Sequence, residues 1–116
     1  MKNNMNYPLI SVITVSYNAV LTIEQTILSV INQTYLNIEY IIIDGGSTDG
    51  TVNVIKKYAD KIAYWVSESD KGIYDAMNKG IAYSHGEYCN FINAGDKFCS
   101  SSILKQVMDF NHVADI

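Results

Sequence analysis

The sequence predicts an α/β fold: a mostly parallel sheet with helices on both faces. Two observations carry this. Short, almost unbroken β-branched runs alternate with longer stretches whose apolar residues recur at helical spacing, and the alternation repeats along the chain. At 116 residues, 48% of them hydrophobic and 17% charged, the chain is sized for one domain with a real core. No repeat, low-complexity tract or linker divides it.

The first run, Leu9 to Val15 within LISVITVSYN, is apolar on consecutive positions, as a strand buried on both faces requires; a half-exposed strand would alternate. In LTIEQTILSVINQ, Leu21, Ile23, Ile27, Leu28, Val30 and Ile31 fall at helical spacing between polar residues. Ile38 to Ile43 is too short for a helix and runs into Asp44 and two glycines, so it reads as a second buried strand ending at a loop. Ser47, Thr48 and Asp49 offer caps to a helix TVNVIKKYA, with Val52, Ile55 and Ala59 on one face. Ile62 to Val66 reads as a third strand. Asp70 can cap the following helix, in which Ile73, Ala76, Met77 and Ile81 share a face and Gly86 supplies a stop. EYCNFI is a fourth strand. A last helix around SSILKQVMDF turns Ile103, Leu104, Val107 and Met108 inward, and HVADI, ending at Ile116, reads as the opening of another strand, cut short.

Composition excludes several classes of function. The net charge is −4 and arginine is absent, whereas a nucleic-acid binder needs a clustered basic face for phosphates. No apolar run approaches the ~18 residues of a membrane span, and the start MKNNMNYPLI has no secretory core, so the expected place is the cytoplasm. Cys89 and Cys99 lack partners at metal-ligand spacing and read as structural thiols. His85 and His112 accompany no nucleophile motif and take no role. Asp75 and Lys79, four apart, read as an ordinary surface ion pair.

In an open α/β sheet, ligands bind beyond the carboxyl ends of the strands, where strand order reverses. Four polar clusters are delivered to that edge: Tyr17 and Asn18, Asp44 to Gly50, Ser67 to Gly72, and Asn93 to Asp96. The loop DGGSTDGT lacks both the GK[ST] ending of a P-loop and the G-x-G-x-x-G dinucleotide spacing. Asp44 is an acceptor, suited to a base N–H or a ribose hydroxyl, though Ser47, Asp49 and the glycines also fit a plain capped turn. Tyr17 could give a base a face to stack on. With no arginine to neutralise a diphosphate leaving group, a hard divalent cation on a carboxylate is the natural substitute, and Asp96 is the candidate ligand; a helix-capping Asp is the simpler reading. Asp70 is placed either to reach a ligand or to cap its helix.

Taken in order, ISVITVSYN, IIIDGGSTDGT, SDKGIYDAMNKGI and HGEYCNFINAGD resemble the family 2 glycosyltransferases, inverting enzymes of GT-A architecture common in bacterial polysaccharide and lipopolysaccharide synthesis. The resemblance spans Leu9 to Asp96. It implies a nucleotide-sugar donor, a UDP- or GDP-sugar, lying across the strand ends with Val15 and Tyr17 beside the base and Asp44 bonding it. Asp70 falls where many members place an Asn that touches the base. The family's D-x-D metal motif aligns with Asn93-Ala94-Gly95-Asp96. Only Asp96 remains to hold Mg²⁺ or Mn²⁺, and Asn93 would bond sugar or ribose as a neutral substitute. Met77 stands where many members carry an arginine or lysine.

The resemblance also implies a general base in an acceptor-binding half, expected beyond Ile116, so no catalytic residue is assigned within the sequence. Residues 1–116 are therefore expected to be the donor-binding part of a longer, truncated transferase domain, which by itself does not transfer sugar. The expected partners are the donor and a saccharide or lipid-linked acceptor, with peripheral association at the inner face of the membrane. An uncovered sheet edge would favour a homodimer. A non-catalytic glycosyltransferase-like interaction module is the alternative, indifferent to nucleotides; a nucleotidylyltransferase would need a basic phosphate loop that is not here.

Overall fold

A computed structural model describes residues 7–114, with side chains described through Asp109. The elements follow the expected alternation: β1 (Ile10–Ser16), α1 (Ile23–Ile31), β2 (Ile38–Asp44), α2 (Thr51–Lys57), β3 (Tyr64–Ser67), α3 (Ile73–Tyr83), β4 (Tyr88–Phe91) and α4 (Ile103–Ala114), with a 3₁₀ turn at Ala59–Lys61. All four strands are parallel, in the order β3-β2-β1-β4. The order reverses at β1, because β2 and β3 build outward on one side of it and β4 joins on the other.

The unbroken apolar runs are explained by this arrangement, since alternate residues of β1 and β2 face different helices. On one face Ile10, Val12, Tyr40 and Ile42 pack with Ile23, Ile27 and Val30 of α1, Ile55 of α2, and Leu104 and Met108 of α4. On the other, Ile13, Val15, Ile41 and Ile43 meet Ala76 of α3, with Met77 partly buried beside them. Full burial of an isoleucine contributes about 1.5 to 3 kcal/mol, so the two central strands dominate the stability of the sheet. Helices thus cover both faces, as the sequence predicts.

Several details differ from expectation. Helix α1 begins at Ile23, leaving Leu21 outside it and 94% exposed; the residues it buries are Ile23, Thr26, Ile27 and Val30. Helix α2 stops at Lys57, so Ala59 lies in the 3₁₀ turn and the buried positions are Thr51 and Ile55. In α3 the contact line is Ala76 and Gly80, while Ile73 and Ile81 flank it, exposed. The cause is close approach: a Cβ on Gly80 would stand 2.5 Å from Ile13 Cγ2, so helix backbone itself lies on the sheet. Helix α3 ends at Tyr83, before Gly86. The expected strand at HVADI is a correction: His112 to Ala114 continue α4, because the i→i+4 backbone pairing begun at Ile103 carries on through them. The rest of that expected strand, Asp115 and Ile116, lies outside the described residues, and so does the general base expected beyond Ile116. In α4, Val107 is exposed while Leu104 and Met108 are buried.

The surface pair assigned to Asp75 and Lys79 does not form. Lys79 Nζ instead lies 3.1 Å from Glu68 Oε2, and Asp75 Oδ2 accepts the Lys71 N–H at 3.0 Å. Cys89 and Cys99 are free and exposed. Among the described residues, no helix is long and apolar enough to cross a membrane.

Candidate functional site

Parallel register sets three strand-end residues abreast: Ser16 of β1 opposite Asp44 of β2, and Asp44 opposite Ser67 of β3. Both serines donate to the one carboxylate, Ser16 Oγ to Oδ1 at 2.6 Å and Ser67 Oγ to Oδ2 at 2.7 Å. The loop after β2 then folds back on the same group. Ser47 Oγ donates to Oδ1 at 2.6 Å, and the N–H groups of Ser47 and Gly46 donate to Oδ2 at 2.8 and 3.2 Å. Asp44 is fully buried. Burial pushes its carboxyl up, but the donors from Ser16, Ser47 and Ser67 outweigh burial and hold it below the ordinary value.

This hub fixes the β1–α1 loop as well. Asn18, in left-handed backbone at φ 46°, donates its N–H to Ser47 Oγ at 2.7 Å and accepts the Thr48 N–H on Oδ1 at 2.8 Å. The N–H of Ala19 reaches Thr51 Oγ1 at 2.8 Å, and that of Val20 reaches Asp49 Oδ2 at 3.2 Å. Asp49 also accepts the Thr51 N–H at 3.1 Å from its place just before α2, which keeps part of the expected capping role. Tyr17 is therefore clamped through both chain neighbours, Ser16 and Asn18, while the residue itself stays 64% exposed.

Above the hub lies a hollow of about 490 Å³ at the carboxyl ends of the strands, beside the point where strand order reverses. Val15, Tyr17, Gly45, Asp70, Ile73 and Asn93 are among the residues that line it. Four expected residues, Val15, Tyr17, Asp70 and Asn93, thus meet in one cavity. A Cβ on Gly45 would stand 2.9 Å from Asp70 Oδ2 and 3.4 Å from Tyr17 Cδ1, so the carboxylate and the ring approach each other over bare backbone. Asp70 Oδ1 accepts the Gly72 N–H at 3.0 Å, which steadies the side chain and leaves Oδ2 toward Gly45. The side-chain oxygen of Asn93 is buried without a hydrogen-bond partner, a cost that a ligand donor would remove.

Two expected residues stand elsewhere. Asp44 is not in the lining; both its oxygens are committed within the protein, so its geometry supports holding the floor of the hollow and not meeting a base. Asp96 is also outside the lining and is exposed. Its backbone is tied down, the N–H to Asn93 O at 2.9 Å and the carbonyl to Thr26 Oγ1. Sequence reasoning missed Ser16 and gave Ser67 no role beyond opening a strand-end cluster; the signal for both was a serine closing each strand beside the strand-end aspartate. It also missed Ile73, placed at the mouth when Gly80 draws α3 onto the sheet.

Residues 11–115 match the model of glycosyl transferase family 2. The chain belongs to that family. It is similar to the glycosyltransferase TuaG of Bacillus subtilis, named for teichuronic acid biosynthesis, at 38% identity over 103 residues, covering 86% of this chain and 41% of TuaG. Among solved structures it is similar to S. aureus TarS in complex with UDP (TM-score 0.77, 26% identity, 88% of this chain and 31% of that one). It is also similar to the mannosyltransferase PcManGT of Pyrobaculum calidifontis in complex with GDP-Man and Mn²⁺ (TM-score 0.78, 26% identity, 84% and 30%). These neighbours share the GT-A fold with this chain. The chain spans about two fifths of the length of the curated relatives it matches.

Divalent-cation ligands in this family 2 chain are sparse. No group of three or more His, Cys, Asp or Glu that could hold a metal occurs among the described residues. The loop after β4 offers one exposed carboxylate, Asp96, and one unpaired amide oxygen, on Asn93. Both are hard oxygen donors, and Mg²⁺ commonly takes one or two carboxylates with substrate phosphates and water. The set fits a cation that arrives with a diphosphate, and it builds no cage of its own.

Proposed function

We propose that this chain is the donor-binding part of a longer family 2 glycosyltransferase, holding a nucleotide-diphosphate sugar in the hollow at the carboxyl ends of β1 and β2. One observation carries the reading: an exposed aromatic ring, a steadied carboxylate and an unpaired buried amide oxygen converge on one cavity at the reversal of strand order. The base stacks on Tyr17 beside Val15 and bonds Asp70, and Asn93 takes a hydroxyl of ribose or sugar. Asp44 keeps the floor and the Tyr17 loop in place. Asp96 would hold Mg²⁺ or Mn²⁺, whose charge would offset that of the leaving diphosphate.

The sugar then passes to a hydroxyl of a saccharide or lipid-linked acceptor in polysaccharide synthesis, in the cytoplasm or at the inner face of the membrane. Support for the donor class comes from TarS with UDP and PcManGT with GDP-Man, and support for the pathway from the name of TuaG. Isothermal titration of the chain with UDP and GDP, with and without Mn²⁺, tests the reading. Metal-dependent binding that Tyr17→Ala and Asp96→Ala each weaken is the expected result, and no affinity for either nucleotide would refute it.

A further inference from the structure

We propose that the hollow selects guanine over uracil, Asp70 taking the two adjacent N–H donors of the guanine edge while Tyr17 stacks the ring; this rests on the nucleotide-donor reading above. The selectivity follows from what the hollow presents. Its one charged side chain is a carboxylate, and no lysine is among the residues that line it. Its one amide, Asn93, has a buried oxygen that no protein donor meets. The acceptor-only side chain of the cavity is therefore Asp70, beside hydroxyls of Ser16, Tyr17 and Ser69 that can donate or accept.

Bases differ in what they can offer such a wall. Guanine carries N1–H and the N2 amino group side by side, spaced to meet the two oxygens of one carboxylate, each of which can accept more than one hydrogen bond. Asp70 Oδ1 already takes the Gly72 N–H at 3.0 Å and retains a lone pair, while Oδ2 lies against Gly45, which Tyr17 also approaches. Uracil has a single N–H between two carbonyls, so a carboxylate that accepts it sets its second oxygen against a carbonyl oxygen. Adenine turns a bare ring nitrogen to the same position. Gly45 makes the arrangement possible, because a side chain there would collide with Asp70 Oδ2 at 2.9 Å.

Titration of the unmodified chain with GDP, IDP, UDP and ADP in Mg²⁺ reads the base edge alone, since sugar and diphosphate are constant. GDP should bind roughly tenfold or more tightly than UDP, with IDP, which keeps N1–H but lacks the amino group, between them and ADP weakest. Asp70→Asn turns an amide N–H toward the edge and should weaken GDP by a larger factor than UDP, narrowing or reversing the preference. UDP binding as tightly as GDP, or Asp70→Asn weakening both by the same factor, would overturn this selectivity and leave the donor reading standing. Binding of none of the four nucleotides would overturn both.

Discussion

Asp44 is buried at the centre of five hydrogen bonds, so its removal leaves donors from two neighbouring strands and a loop without partners. Breaking a buried network of this kind typically costs several kcal/mol, and Asp44→Asn, which keeps one acceptor oxygen but opposes an amide to serine and backbone donors, should cost about 2 to 4 kcal/mol in urea unfolding. The sign with pH follows from its depressed carboxyl. A folded value below the ordinary one contributes stability that is present above the unfolded value and is lost as pH falls through the folded one. Stability should thus fall below about pH 4, and Asp44→Asn should flatten that acid limb; an unchanged limb would assign it to other carboxylates. Tyr17 is the opposite case. With its ring largely exposed, Tyr17→Ala should leave the unfolding midpoint in place yet weaken nucleotide binding by about 1 to 3 kcal/mol, the usual worth of a base stacked on an aromatic ring. A shifted midpoint with unchanged affinity would make it a packing residue.

Helix α3 shows how one element sets the site and why the sequence hid it. Alanine at an ordinary exposed helix position gains about 1 kcal/mol over glycine. At Gly80 the added carbon would meet fully buried Ile13 at 2.5 Å, and overpacking of that kind costs about 1 to 3 kcal/mol. Ile13 is β-branched and has little rotamer freedom with which to yield. Gly80→Ala should therefore destabilise by up to about 2 kcal/mol net, and Ile13→Ala in the same chain should recover part of the steric cost in a double-mutant cycle. The strands and helices were legible because burial on both faces of β1 and β2 writes continuous apolar runs, and α1 writes a clear stripe. Helix α3 misled because a glycine contact leaves no hydrophobic mark, so Ile73 and Ile81 looked like its inner face. The end of α4 misled as well: HVADI suits a strand by composition, yet His112 to Ala114 continue the helix begun at Ile103. At the site, strand ends define the edge, so Tyr17, Asp70 and Asn93 could be read to one side of the sheet, and Val15 came with the family resemblance; the four line one hollow. It could not show that Asp44 points into a ring of serines, because that depends on the register of three strands separated in the chain.

At the scale of the molecule, the four described strands place the hollow beside β1, which pairs on both sides and is the most deeply buried element. The walls named above come from the loops after β1, β2, β3 and β4 and from the start of α3, all within this chain. Binding and transfer make different demands on such a wall. Holding a nucleotide needs only the groups that touch it, whereas transfer also needs an acceptor hydroxyl placed in line with the anomeric carbon and a base to take its proton. Positioning and general-base help are worth about 10⁵ or more in effective molarity and about 10² to 10⁴ in rate. Relatives such as the matched Mycobacterium tuberculosis and Haemophilus influenzae glycosyltransferases are a little over twice as long, and the hollow itself offers one carboxylate, Asp70, proposed to bond the nucleobase. The 116-residue chain should consequently bind donor nucleotide yet release sugar to an acceptor at least ~10³-fold more slowly than a full-length relative assayed beside it. The comparison is made by measuring nucleotide released from a radiolabelled nucleotide sugar in the presence of a hydroxyl acceptor. Turnover at a relative's rate would place the base and the acceptor site within these residues instead of beyond Ile116, and would make Asp70 the first carboxylate to test for that role.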